Sequence, residues 1–362
     1  MTVFTTNANG RGRVDEPTSV PVQVDGVEVW YFERICSRVA PMFFYSPELA
    51  KKCNAAIAGF DGIYIAGTWT YPMLVGAHAA QKLEVPYVVS PRGSFMHWSM
   101  SQKAWKKQIY LKCFERRAIE SARAIHCTSA IEAEQTRTYG FSPPMVIVPN
   151  PVQALPRGNP ESACALRRQL GVPDEGTLTI FTGRKHPMKR LDLTIESFAF
   201  VARRLPTAHL AIVGPDYGVE ADLRRQIDRL GIAKQVHLIG LLEGEKLGSV
   251  YSAANLLVML SQRENFGMAA AEALAFGVPV LLSEDVGLAV EAAAAGAGKV
   301  VRPNINEIGD AWLSMLTECD LAEMGKAGRD FAVRRLSPDS VGRQMLEVFK
   351  RTPASEAGPS IF

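Results

Sequence analysis

The stretch SQRENFGMAAAEALAFGVPVLLS, Ser261 to Ser283, constrains this chain more than any other part of it. Apolar runs bracket it on both sides. NLLVML, Asn255 to Leu260, reads as a buried strand and Val278 to Leu282 as the next one, with a helix of roughly ten residues between them. In an open α/β sheet the loop at the carboxyl end of such a strand, here Ser261 to Asn265, is where ligands bind. Gly267 lets backbone amides approach a ligand at the helix start, and those amides with the helix dipole favour an anion such as phosphate. Glu264 falls on the loop and Glu272 inside the helix, so each can hold sugar hydroxyls beside that anion. The plainer reading makes Glu264 a first-turn carboxylate favoured by the dipole and Glu272 a solvated helix residue.

The chain has 362 residues, enough for about two domains with separate cores. Lys and Arg number 40 against 37 Asp and Glu, and a net charge of +3 gives no reason to expect a nucleic-acid partner. Cys36, Cys53, Cys113, Cys127, Cys164 and Cys319 show no CxxC spacing and sit mostly among apolar neighbours, which suits buried, reduced thiols. No run approaches the roughly eighteen apolar residues of a membrane-spanning helix, and the start lacks the basic-then-apolar pattern of a signal peptide. The expectation is a reducing cytoplasm.

Taken in order, MTVFTTNANG puts an apolar strand at the second residue with no element to feed it. After a proline-interrupted loop Val27 to Phe32 alternates as a strand, and Ser46-Pro47 opens a helix that runs to Phe60. Gly62 to Ala66, Tyr87 to Ser90, Ala124 to Cys127 and Met145 to Val148 are short β-rich runs between helix-length segments, the rhythm of a parallel sheet covered on both faces. Gly67-Thr68-Trp69 and Pro91-Arg92-Gly93-Ser94 follow two of these strands, which makes Trp69, Arg92 and Gly93 candidates. From Trp98 to Arg123 the chain carries Lys103, Lys106, Lys107, Lys112, Arg116, Arg117 and Arg123 among Trp98, Trp105 and Tyr110, opposed only by Glu115 and Glu120. Such a run is either the solvated face of a helix or a peripheral membrane contact that gives access to a lipid-linked acceptor.

Pro143-Pro144, Pro149-Asn150-Pro151 and a polar stretch to Glu161 mark the domain boundary. Expected domains are 1–150, 151–337, and a closing helix with a frayed tail over 338–362. In the second half, strands at Thr177 to Phe181, His209 to Val213, Val236 to Ile239 and Lys299 to Val301 alternate with helices at Leu191 to Leu205 and Glu220 to Leu230, and two or three helices close a Rossmann-like, nucleotide-binding domain. TGRKHPMKRLD, Thr182 to Asp192, sets Gly183, Arg184 and Lys189 just after a strand end. Arginine offers paired donors to phosphate oxygens and lysine a second positive charge, as a departing diphosphate requires; the alternative is cations that face water. No Asp-x-Asp at a strand end and no His or Cys cluster at metal spacing appears.

ENFGMAAAEALAFGVPV resembles the signature of family 4 retaining glycosyltransferases, a Glu-x7-Glu pair followed by AxxxGxPV. TGRxxxxK resembles that family's phosphate clamp, with Arg190 where glycine is usual. VSPRGSF resembles its PRG turn and IHCTSAIEAEQ its H-x-TS-x-x-E stretch. VIVPNPV resembles its hinge, with Pro151 for glycine. The resemblance implies a GT-B fold, two facing Rossmann-like domains with a cleft between them, whose first domain here lacks its first βα unit and whose last helix crosses back. A divergent N-terminus that begins here by design is the other reading of that start. It also implies a retaining hexosyltransferase that takes a nucleotide-diphosphate sugar donor to a glycan or lipid-linked acceptor in polysaccharide or cell-envelope biosynthesis, with no metal and no cofactor. Carried over, Arg184 and Lys189 stabilise the leaving diphosphate with Gly183 beside them, and Glu264 orients the sugar. Asn265, Phe266, Gly267 and Met268 line the donor through their backbone, and Glu272 binds the ribose. Trp69, Arg92, Gly93 and His126 lie on the acceptor side, although a lone histidine at a strand end is more often structural. The rival readings are a GT-B nucleotide-sugar epimerase and a truncated, inactive or partner subunit.

Overall fold

The computed structural model describes residues 1–10, 12–35, 43–153 and 160–350. Cys36, the middle of the proline-marked boundary and the tail expected beyond Thr352 lie outside the described residues. By its internal contacts the chain separates into two units, Met1–Val148 with the last helix from Gln344, and Pro149–Arg343.

In the first unit β1 (Thr2–Thr6) is followed by a small hairpin of β2 (Ala8–Asn9) and β3 (Gly12–Arg13), then β4 (Pro21–Val24) and β5 (Val27–Phe32). The segment read from sequence as a loop before Val27 therefore holds a strand. Asp25 and Gly26 both take positive φ, +49° and +78°. An Asp-Gly pair in that conformation closes a two-residue hairpin and sets β4 antiparallel to β5. The parallel pairing of β1 with β5 completes a three-stranded sheet. Four parallel strands, β6 (Ile63–Ala66), β7 (Tyr87–Ser90), β8 (Ala124–Cys127) and β9 (Met145–Ile147), form a second sheet. The helix Pro47–Ala56 starts where Ser46 accepts from the Leu49 amide, as the Ser-Pro pair implied. Residues 97–120 form several pieces rather than one helix: His97–Ser101, Ala104–Tyr110, a π-helical turn Leu111–Glu115, and Arg116–Glu120.

The second unit is built on six parallel strands, β10 (Thr177–Thr182), β11 (Ala208–Val213), β12 (Val236–Ile239), β13 (Leu256–Met259), β14 (Val280–Ser283) and β15 (Gly298–Val301), in the order β12-β11-β10-β13-β14-β15. Every residue of β11, β13 and β14 is buried. Helices cover both faces of such a sheet, and this is why these strands read as unbroken apolar runs. One side packs around Tyr251, Leu257, Met259 and Leu274, the other around Phe181, Phe198, Ile212 and Trp312. The alanine-rich helix Met268–Phe276 brings little bulk to its packing, and at its end Gly325 approaches so closely that a Cβ would strike the Gly277 carbonyl. After β10 the chain adds β11 and β12 on one side, then returns to lay β13 against the other. The connections leaving β10 and β13 thus diverge, which opens a crevice at their carboxyl ends.

Candidate active site

The loop after β10 starts with two glycines in contact. Gly183 has φ +142° and its amide donates to the Val213 carbonyl at 2.9 Å, while a Cβ on Gly214 would collide with the Gly183 carbonyl. Lys185 is buried, its Nζ held by Glu220 Oε2 at 2.7 Å and by the Ile239 carbonyl at 2.9 Å, which anchors the loop to the next βα unit. Arg184 is left exposed, with its guanidinium 5.5 Å from the centre of the Tyr217 ring. His186 caps a short helical turn, Pro187–Lys189, that ends at Arg190 in the left-handed conformation, φ +49° and ψ +45°. Arg190 adopts the backbone that glycine would take without strain, so the loop turns at a cost of about 1–2 kcal/mol.

Lys189 reaches across to the loop after β13, where its Nζ makes an ion pair with Glu264; their side chains are 17 % and 22 % exposed. The Glu264 backbone is fixed on both sides, its amide donating to the Asp285 carbonyl at 3.1 Å and its carbonyl accepting from the Gly287 amide at 2.9 Å. At Gly267, φ +101°, the helix Met268–Phe276 begins, and its first amides have no partner within the helix. A Cβ at Gly267 would sit 2.8 Å from Val286 Cγ1. One turn on, Glu272 Oε2 accepts from Tyr251 Oη at 2.6 Å, and the same hydroxyl lies 2.8 Å from Thr182 Oγ1. Burial raises the Glu272 pKa above the usual carboxylate value, against a smaller lowering by the Tyr251 hydroxyl. Burial, followed by the Glu272 charge, holds the Tyr251 pKa well above that of a free phenol, so Tyr251 remains the donor.

These groups surround one cavity of about 370 Å³. Gly183, Arg184, Lys189, Glu264, Met268 and Glu272 all line it, and Leu241, Leu242 and Leu247 give it an apolar wall. Asn265, Phe266 and Gly267 are not among the lining residues. Phe266 is buried, with its carbonyl accepting from the Leu288 amide at 2.9 Å, so its contribution is to seat the helix start.

The four candidates of the first unit hold a different kind of geometry. Trp69 and Arg92 both have positive φ, +66° and +54°, immediately after β6 and β7. Non-glycine residues persist in that region only where their surroundings hold them. The Trp69 amide donates to Glu115 Oε1 at 2.5 Å, and the Gly93 amide to Glu132 Oε1 at 2.5 Å. Glu132 also accepts from the Thr128 amide and hydroxyl at 2.7 and 2.9 Å. Arg92 donates to Tyr64 Oη at 3.2 Å. His126 is buried, with Nε2 2.7 Å from the Val148 carbonyl and Nδ1 2.8 Å from Tyr64 Oη. A carbonyl only accepts, so Nε2 carries the proton and Nδ1 accepts from the phenol. Burial, the largest influence on it, lowers the His126 pKa and favours this neutral ring. His126 thus contacts Tyr64, whose hydroxyl also accepts from Arg92.

Residues 164–331 match the family described as glycosyl transferases, group 1, and residues 1–151 match the glycosyl transferase 4-like domain. The chain belongs to the group 1 glycosyltransferases. Among curated relatives, a D-inositol 3-phosphate glycosyltransferase of Gordonia bronchialis is 32% identical over 251 residues, 66% of this chain and 54% of that protein. D-inositol 3-phosphate glycosyltransferase 2 of Catenulispora acidiphila is 32% identical over 196 residues, 52% of this chain and 46% of its own. The chain thus spans about half the length of the curated relatives it matches. Among solved structures, Anabaena Alr3699/HepE in complex with UDP aligns with a TM-score of 0.75 at 19% identity, over 96% of this chain and 99% of that one. The same protein with UDP-glucose aligns with a TM-score of 0.72 at 20% identity, over 97% and 99%. The architecture is that of GT-B glycosyltransferases, with two Rossmann-like units.

In this group 1 glycosyltransferase, three supporting residues escape a reading by motif: Lys185, Tyr251 and Tyr64. Glu132 closes the H-x-TS-x-x-E stretch and stands three residues after Ser129, whose Oγ accepts from the Glu132 amide at 3.2 Å. Tyr251 had none, because an aromatic at core spacing in a helix looks like packing alone. Chemically, the cavity offers two cations, two carboxylates and a helix start within one enclosure. Such a set suits a ligand that carries both phosphate and hydroxyl groups.

Proposed function

We propose that this chain transfers a hexosyl unit from a nucleotide-diphosphate sugar to a glycan or lipid-linked acceptor in polysaccharide or cell-envelope biosynthesis, with retention at the anomeric carbon. One observation carries the reading: Arg184, Lys189, Glu264 and Glu272 come from separate turns of the chain to line a single cavity. Arg184 and Lys189 take the diphosphate, the start of the helix Met268–Phe276 adds its amides, Glu264 orients the sugar, and Glu272 accepts from the ribose. HepE is solved in complex with UDP and with UDP-glucose, which makes a UDP-sugar the first donor to try. The names of the curated relatives add an inositol phosphate to the acceptors worth testing. The work is done in the cytoplasm or at the inner membrane face.

As the bond from the anomeric carbon to the diphosphate oxygen breaks, negative charge grows on that oxygen, and the two cations stabilise it in place of a divalent metal. The acceptor hydroxyl attacks from the same face and gives its proton to the leaving phosphate. Lys189 begins paired with Glu264. On donor binding the ammonium turns to phosphate, and the carboxylate is released to the sugar hydroxyls.

The test is melting temperature across a panel of nucleotide sugars, followed by nucleotide release with and without acceptor in the presence of chelator. A donor that stabilises the protein and turns over without added metal is expected. No stabilisation by any nucleotide sugar would defeat the proposal, and a changed but untransferred sugar would favour an epimerase.

A further inference from the structure

The pieces that follow the PRG turn expose what a solvated helix would hide. Trp105, Ile109 and Phe114 are 67 %, 55 % and 58 % exposed. Trp105 and Ile109 lie one α-turn apart on Ala104–Tyr110. Phe114 comes five residues later, and in a regular α-helix it would rotate away from them. The π-helical turn Leu111–Glu115 takes up the extra residue and keeps Leu111 and Glu115 toward the core, while Phe114 stays exposed with its ring centre 5.2 Å from that of Tyr110. Trp105, Ile109 and Phe114 thus leave an exposed apolar ridge along the segment.

Its surroundings are of one sign. Lys103, Lys106, Lys112 and Arg117 are exposed, and none has a salt-bridge partner among the described residues. The two acids of the segment are spent: Glu115 is buried, and Glu120 accepts from Arg116 at 2.8 Å and from the Ser142 amide at 2.9 Å. Lys106 Nζ stands 5.3 Å from the Trp105 ring centre. Beside Phe114 the ridge continues into an open groove of about 500 Å³ that includes Leu74 and Ala118, with Lys82 and Arg117 along it. This groove is larger than the cavity of the second unit, and it carries none of the candidate donor residues.

The geometry points to a docking surface for an anionic phospholipid bilayer, in which Trp105, Ile109 and Phe114 enter the interface and the lysines meet the lipid phosphates. A second copy of this chain would bring the same positive charges against it and be repelled. A bilayer is negative across its whole plane and apolar just beneath, which complements a cationic rim around an apolar ridge. Contact of this kind is peripheral, since no helix among the described residues is long and apolar enough to cross a membrane. The surface stands whatever sugar the other unit holds.

The test is co-sedimentation of the full chain with phosphatidylcholine vesicles, neutral or containing roughly one third phosphatidylglycerol, with tryptophan fluorescence as the second readout. Binding to the anionic vesicles alone is expected, with a blue shift, and with loss of binding at about 0.5 M salt. Lys103→Ala, Lys106→Ala and Lys112→Ala together should lower partitioning on the order of 100-fold, at about fivefold each. Trp105→Ala, Ile109→Ala and Phe114→Ala should each lower it about tenfold, with the melting temperature kept as the check on folding. Failure to pellet with anionic vesicles, equal binding to neutral ones, or unaltered binding by these variants would overturn the proposal. So would a dimer in light scattering that Trp105→Ala dissociates, which would assign the ridge to a second copy.

Discussion

Lys189 and Glu264 are half-neutralised by each other before any ligand arrives, and this sets what their loss should do. Lys189→Ala and Glu264→Ala should each lower turnover by about 100-fold or more while leaving the melting temperature nearly unchanged, because a partly exposed pair contributes about 1 kcal/mol or less to folding. Steady-state nucleotide release beside a thermal melt decides this, and normal turnover in either variant would remove that residue from the chemistry. Tyr251 tests a finer point. Its hydroxyl holds Glu272 in place and lowers a pKa that burial has raised. An ionised Glu272 is the better acceptor for a ribose hydroxyl, so donor affinity should fall as pH drops through that raised pKa. Tyr251→Phe should raise the donor KM about tenfold with a smaller effect on kcat, and should move the acidic limb to higher pH. A limb that stays put in the KM–pH profile would show that Glu272 does not depend on this bond.

At the scale of elements, the starts and ends of helices carry the strain and the pH sensitivity. Gly267 begins the helix Met268–Phe276 with φ +101° beside Val286. Gly267→Ala should cost about 2 kcal/mol and weaken donor binding together, as read by denaturant melts and titration calorimetry. The π-helical turn holds Glu115 in the core, where burial pushes its carboxyl up to about 7 from 4.5, against bonds from the Trp69 and Thr70 amides. The folded chain then binds a proton more tightly than the unfolded one. The stability this adds is present in full below pH 4.5 and is lost as pH rises through about 7. The loss should reach about 3 kcal/mol at most, and Glu115→Gln should flatten it in melts taken across that range. A wild-type stability indifferent to pH there would mean that Glu115 is not buried as a charge.

Over the whole molecule the apolar clusters divide with the units: one belongs to the first, and two pack the opposite faces of the second unit's sheet. A ligand of the 370 Å³ cavity should therefore leave its mark on one unit. At a donor concentration near 100 Kd, hydrogen exchange should slow by about 2.7 kcal/mol in residues 182–190 and 261–272. The first unit's sheets should exchange as before. Protection confined to the first unit would place the donor elsewhere.

Val236–Ile239 and Glu220–Leu230 stand where the sequence puts them, because a short β-rich run between helix-length segments marks a strand and a helix must repeat its apolar side chains each turn. The loops that carry Arg184, Lys189 and Glu264 were legible for the same reason, since they begin where those patterns stop. Tertiary structure alone decided that Lys189 meets a carboxylate 75 residues away, that Tyr251 steadies Glu272, that Lys185 is an anchor rather than a ligand group, and that a π turn buries Glu115 while Phe114 stays exposed. Patterns along a chain record which side of an element is dry. Which elements lie side by side depends on the order of strands in the sheet, a property of the folded path as a whole that no local run of residues contains.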